Sequence, residues 1–96
     1  MINSYINFIK YIGEGNKKDY SFPFKITNNS QILILVFNDI GELQYEERGD
    51  DNTFIDQVKF NALTGGGTVI LKDNLQLDYS LVIKLSMNTA VQPYIS

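Results

Sequence analysis

The sequence predicts an all-β fold, a small antiparallel β-sandwich or partly open barrel of about six to eight short strands. Segments rich in aromatic and β-branched residues recur along it, separated by turns of glycine, asparagine and aspartate. Two segments, Tyr20–Phe24 and Tyr79–Ser86, alternate with the period of two that lays one face of a strand on a core. One hydrophobic core serves a chain of 96 residues, so residues 1–96 are expected to form a single β domain, with the core over about 5–87 and an extended tail over 88–96.

In chain order, Tyr5–Ile12 is rich in aromatic and β-branched residues and reads as the first strand. Tyr5, Phe8, Ile9 and Ile12 also fit a helical period, so helix is the alternative there. A polar turn, Gly13–Asp19, leads to the aromatic alternation of Tyr20, Phe22 and Phe24, and the whole stretch Tyr11–Phe24 reads as a β-hairpin entering its second strand. Pro23 has no N–H to donate and suits a strand end or a sheet edge. Thr27–Ser30 has turn composition. The run Gln31–Phe37 is the most apolar in the chain, and a short continuous apolar run bounded by turns indicates a strand covered on both faces. In so small a domain, another subunit is a natural source of the second cover.

Asn38–Gly41 closes that strand as a hairpin-type turn. Glu42–Asn52 is acidic and reads as a short strand running into an exposed loop. Phe54–Asn61 fits an irregular strand or one helical turn. Gly65-Gly66-Gly67 is a flexible turn before the strand Thr68–Leu71, and Lys72-Asp73-Asn74 is another turn. In Tyr79–Ser86, Tyr79, Leu81, Ile83 and Leu85 share one face, and Ser80, Val82, Lys84 and Ser86 the other. Thr89–Ser96, with Pro93, reads as an extended tail.

Several function classes are disfavoured by composition. A net charge of −3 and scattered basic residues leave no basic stripe to neutralise phosphates, so no nucleic-acid partner is expected. No apolar run reaches the length of a membrane span, and no membrane partner is expected. The N-terminus lacks the basic and long apolar regions of a secretory signal, which leads us to expect folding where the chain is made. Cysteine and histidine are both absent. That removes thiolate chemistry, the usual general base and the commonest metal ligand.

The remaining candidates for chemistry are weak. Glu46-Glu47 and Asp50-Asp51 invite comparison with the paired carboxylates of glycoside hydrolysis, but they fall in the most polar stretch, where solvated and unperturbed side chains are expected. Asp50-Asp51-Asn52 lacks the ligand spacing of a calcium loop. Gly13-x-Gly15 lacks the third glycine and following helix of a dinucleotide site, and Gly65-Gly66-Gly67 lacks the lysine of a phosphate loop. We therefore expect no catalytic residue, no metal and no cofactor. The six tyrosines and six phenylalanines serve a core, an interface or a sugar-stacking platform. Ile32, Ile34, Val36, Tyr20, Phe22 and Phe24 are the candidate interface residues.

Tyr11-x-Gly13-x-Gly15 followed by Tyr20-x-Phe22-Pro23-Phe24 resembles the start of the virion-binding domains found at the N-termini of phage tail fibres and tailspikes. Ile32–Phe37 stands in the place of that family's next apolar strand, with Gly41 at its turn. Gly66-Gly67-Thr68-Val69-Ile70-Leu71 is similar to its glycine-led strand, Leu81–Lys84 to its last strand, and Gln92-Pro93 to its exit. The departures are Lys84 where arginine is common, and Gln76 or Asp78 where a glycine is usual. The resemblance implies that Gly13, Gly15, Gly66 and Gly67 are motif turns. It also implies a virion location in the tail after synthesis in the host cytoplasm, and a structural role as a free-standing adaptor or attachment component. Other tail or fibre proteins would be its partners, within a homo-oligomer that is commonly a trimer. The alternative function is a small carbohydrate-binding module using exposed tyrosines.

Overall fold

A computed structural model describes residues 7–86. The expectations for the tail over 88–96 and for Gln92-Pro93 lie outside those residues. Among the described residues, seven strands form two antiparallel sheets. The strands are β1 (Phe8–Ile12), β2 (Asp19–Phe22), β3 (Ile32–Phe37), β4 (Leu43–Arg48), β5 (Ile55–Phe60), β6 (Gly67–Leu71) and β7 (Ser80–Leu85). One sheet has the order β1-β7-β3-β4 and the other β2-β6-β5. Neither closes into a barrel, and the architecture is a small β-sandwich. The region Phe8–Ile12 is a strand, as its aromatic and β-branched residues favour, and Phe54–Asn61 resolves into β5.

The core is the set of inward positions of both sheets. Ile32, Ile34 and Val36 of β3 and Leu81 and Ile83 of β7 face Tyr20 and Phe22 of β2, Val69 and Leu71 of β6, and Ile55 and Val58 of β5. Phe24, Ile26 and Leu75 are added from the connections. The alternation expected for Tyr79–Ser86 is present, with Leu81 and Ile83 fully buried and Lys84 exposed. Pro23 directly follows β2, an edge strand, where its missing donor leaves no gap in a ladder.

Tyr11–Phe24 is not a hairpin. β1 pairs with β7 in one sheet, and β2 pairs with β6 in the other, so the segment between them crosses the sandwich. The reason lies in backbone hydrogen bonds to a distant segment. Gly13 N–H donates to the Tyr79 carbonyl (2.7 Å), and Asp78 N–H donates back to the Gly13 carbonyl (3.0 Å). Gly15 N–H donates to Leu75 (3.1 Å), while Leu75 and Leu71 donate to Lys17 and Lys18 (3.1 and 2.8 Å). A side chain at Gly13 would meet the Gln76 carbonyl oxygen, so this close approach requires glycine.

The other turns form as their residue types favour. Asn28 and Gln31 make a reciprocal cap on a 3₁₀ turn, Asn29–Gln31, that leads into β3. Asn38 Oδ1 accepts from Ile40 and Glu42 N–H (3.1 and 2.8 Å) and closes the β3–β4 hairpin. Gly66 has φ +84°, and its N–H donates to the Phe24 carbonyl (2.8 Å), which ties the glycine-rich turn to the end of β2.

Candidate functional site

The six residues singled out as an interface lie inside the domain. Tyr20, Phe22, Phe24, Ile32, Ile34 and Val36 are each no more than 4% exposed and belong to the core between the sheets. A partner of the folded chain therefore cannot reach them. In β3 the residues it can reach are the alternate set, Leu33, Leu35 and Phe37, because successive side chains of a strand point to opposite faces.

Strand register places these three on an outer surface that runs across all four strands. Its middle row is Lys10, Val82, Leu35 and Glu46. One flanking row is Phe8, Lys84, Leu33 and Arg48, and the other is Ile12, Ser80, Phe37 and Leu43. The surface is thus apolar along β3, with Phe8, Ile12 and Leu43 about half exposed at its corners. No described element packs across it. In a chain of net charge −3, this face carries Lys10, Lys84 and Arg48 against the single acid Glu46.

The outer face of the other sheet is different in kind. Its rows are Asp19, Ile70 and Gln57, and Ser21, Thr68 and Lys59. Only Ile70 is apolar there, the pattern of an antiparallel sheet that faces water. The contrast between the two outer faces makes the four-stranded one the candidate interaction surface, since contiguous exposed apolar area is uncommon on a small domain that binds nothing.

A second feature is a cleft of about 310 Å³ at the open edge of the sandwich beside β4. Tyr45 and Phe54 line it with their rings tilted at a centroid distance of 5.2 Å, and Tyr45 is half exposed. Lys72, Asp73, Asn74 and Gln76 add polar groups.

The acidic stretch does not converge on a ligand. Glu46 and Glu47 are neighbours on β4 and project to opposite faces, Glu46 outward and Glu47 inward. The expectation of solvated carboxylates fails for Glu47, which is 8% exposed. Its Oε2 accepts from Thr53 N–H (3.0 Å), and its Oε1 accepts from Phe54 and Ile55 N–H (3.2 and 3.4 Å). The side chain thus binds the edge of one sheet to the start of β5 in the other, a structural role. Asp51 Oδ2 accepts from Arg48 N–H (3.0 Å) and shapes the intervening turn. Among the described residues, no group of three acidic side chains is placed to hold a metal ion.

The motif turns occupy defined places. Gly13 and Gly15 are joined to the β6–β7 connection, and Gly66 and Gly67 enter β6. Gly67 lies opposite both Phe22 and Phe60, and a methyl group there would strike the tip of the Phe22 ring. Tyr20, on the strand beside it, donates its hydroxyl to the Lys17 carbonyl (3.1 Å). Burial raises the Tyr20 phenol above its ordinary pKa, and the Glu14 and Asp19 carboxylates push it the same way. No family model matches the chain, and no curated protein matches it.

Proposed function

We propose that this chain is a structural component of a bacteriophage tail, an adaptor or attachment protein that docks on other tail or fibre proteins. The reading rests on the ordered set of motifs that runs from Tyr11-x-Gly13-x-Gly15 through Gly66–Leu71 to Leu81–Lys84. An exposed apolar sheet face agrees with a protein whose work is binding another protein, and it gives that binding a physical basis in buried aliphatic and aromatic surface. Mass spectrometry of purified virions that carry the gene tests the reading. Peptides of this chain at a fixed stoichiometry to the tail proteins support it. Intact particles without the chain, alongside abundant chain in the soluble lysate, overturn it.

The Tyr45–Phe54 pair at the mouth of the cleft favours a second reading, a carbohydrate-binding module. Flat aromatic rings stack on the apolar faces of sugars, and Asp73 and Asn74 offer hydrogen-bond partners for hydroxyls. A glycan array separates the two readings, since this one predicts binding that Tyr45→Ala abolishes.

A further inference from the structure

Two of the four charges on the outer face of the four-stranded sheet lie at opposite ends of its middle row, and the other two, Lys84 and Arg48, lie in one flanking row. Lys10 sits at the β1 edge and Glu46 at the β4 edge, with Val82 and Leu35 between them. Two copies can meet face to face about a two-fold axis in the plane of contact, and the axis has two natural directions. An axis perpendicular to the strands lays Lys10 on the Lys10 of the second copy, and Glu46 on its Glu46. Like charges meet at both ends. An axis parallel to the strands, passing between β7 and β3, exchanges the two edges of the sheet. Lys10 then faces Glu46 and Glu46 faces Lys10. Val82 meets Leu35, Ile12 meets Leu43, and the Phe8 ring meets Arg48. These four pairings are attractive, through opposite charge, apolar contact or a cation over an aromatic ring, while the remaining two, Lys84 on Leu33 and Ser80 on Phe37, set a polar group against an apolar one without opposing like charges.

We propose that the chain forms an isologous dimer through this face, with its two-fold axis parallel to β7 and β3. The proposal goes beyond the tail-component reading and stands on the sheet face alone, so it holds whether or not the chain is found in virions. It accounts for the uniformly apolar composition of β3. The inner residues of that strand are covered by the second sheet, and its outer residues by the second copy. Aligned face packing at the usual sheet rotation of about 30° keeps the centre of the middle row in register and moves its ends by about 4 Å, a shift that the long Lys10 and Glu46 side chains can span. The patch is roughly 20 Å on a side, at the small end of specific interfaces, so the dimer is reversible and its population follows concentration.

Sedimentation velocity on the full chain from about 5 to about 500 µM tests this, because mass action must fill the dimer over such a range. The expected result is a rise from the monomer mass of 10.9 kDa to twice that value. Lys10→Glu and Glu46→Lys each set like charges together twice in the dimer and are expected to weaken it at least about tenfold, while the double variant regains wild-type association. Both changes lie on the solvent side of the sheet, and circular dichroism checks that each variant keeps the β fold. Hydroxyl-radical footprinting of the unaltered chain is independent of any variant's folding. Protection of Leu33 and Leu35 should rise with concentration, and that of Ile70 should not.

The proposal is overturned by a monomer throughout the range, by a trimer, or by a dimer indifferent to the single reversals. Failure of the double variant to recover also overturns it. Protection of Leu33 and Leu35 that is independent of concentration in a monomer would assign the face to the chain's own terminal residues, and a glycan that protects it would assign it to a sugar.

Discussion

Glu47 is an ionisable side chain at the seam between two sheets, and three backbone N–H groups surround its carboxylate. These donors lie at the entry to β5, where the carboxylate and the backbone satisfy one another. Glu47→Ala removes the acceptor shared by all three, of which Ile55 N–H is buried. We expect a loss of about 3 kcal/mol in urea-induced unfolding, with a smaller loss for Glu47→Gln, which keeps one acceptor. A loss below about 0.5 kcal/mol, the level of an ordinary surface substitution, would show that these bonds do not hold the sheets together.

Tyr20 adds a pH dependence with a definite sign. Its folded-state pKa is raised, so the folded chain keeps the phenol proton after the unfolded chain has begun to lose it. Its contribution is complete below the unfolded value of about 10 and is lost as pH rises from there through the folded value. Melting temperatures measured from about pH 9 to 11 should therefore fall more steeply in the wild type than in Tyr20→Phe. At neutral pH the variant is expected to be less stable by about 1 kcal/mol, because the hydrogen bond to the Lys17 carbonyl is gone. Parallel pH curves would remove Tyr20 from the account of alkaline unfolding.

At the scale of the element, β3 has two faces of nearly identical composition and different consequence. Ile34 is fully buried, and Ile34→Ala should cost about 3 kcal/mol through lost transfer energy and the cavity left behind. Leu35, one residue on, faces outward. In dilute solution Leu35→Ala should cost less than about 1 kcal/mol, and its main effect should be on association. Equal losses at the two positions would mean that the outer face is covered within the monomer.

The strand between Gln31 and Phe37 also marks the limit of what the residues alone reveal. Its existence follows from an unbroken apolar run, and so does the expectation of cover on both faces, of which the described residues supply only the inner; no polar residue within the run distinguishes one face from the other. The expectation that Ile32, Ile34 and Val36 form an interface is overturned only by the fold, whose register with β7 and β4 turns these three inward and Leu33, Leu35 and Phe37 outward. Where polar residues alternate, as in Ser80–Leu85, facing is readable directly. The partition of β1 and β2 into separate sheets was not legible. It depends on backbone hydrogen bonds between Gly13, Gly15, Lys17 and Lys18 and residues some sixty positions away in sequence, at 71–79. Glu47 was hidden for a related reason. A carboxylate in a polar stretch looks solvated until the loop that brings it three donors is folded back. Gly13→Ala probes that connection. It should lower stability by about 1–3 kcal/mol and speed amide exchange at Gly15 and Asp78; unchanged exchange there would separate the close approach of Gly13 from the fastening of the turn.

For the whole molecule, the two outer faces set the behaviour. One is polar and suited to water; the other is an apolar strip whose middle row carries Lys10 and Glu46 at opposite edges. A sandwich of this size buries a modest core, and covering the apolar strip adds to it, so thermal stability is expected to increase with protein concentration. The most direct test of the four-stranded face as the interaction surface is side-chain methyl NMR across a dilution series. The account predicts that the methyl resonances of Leu33, Leu35 and Val82 move with concentration, while those of Ile70 on the opposite face and Ile34 in the core stay still. Resonances that do not move at any concentration, or movement confined to Ile70, would contradict it.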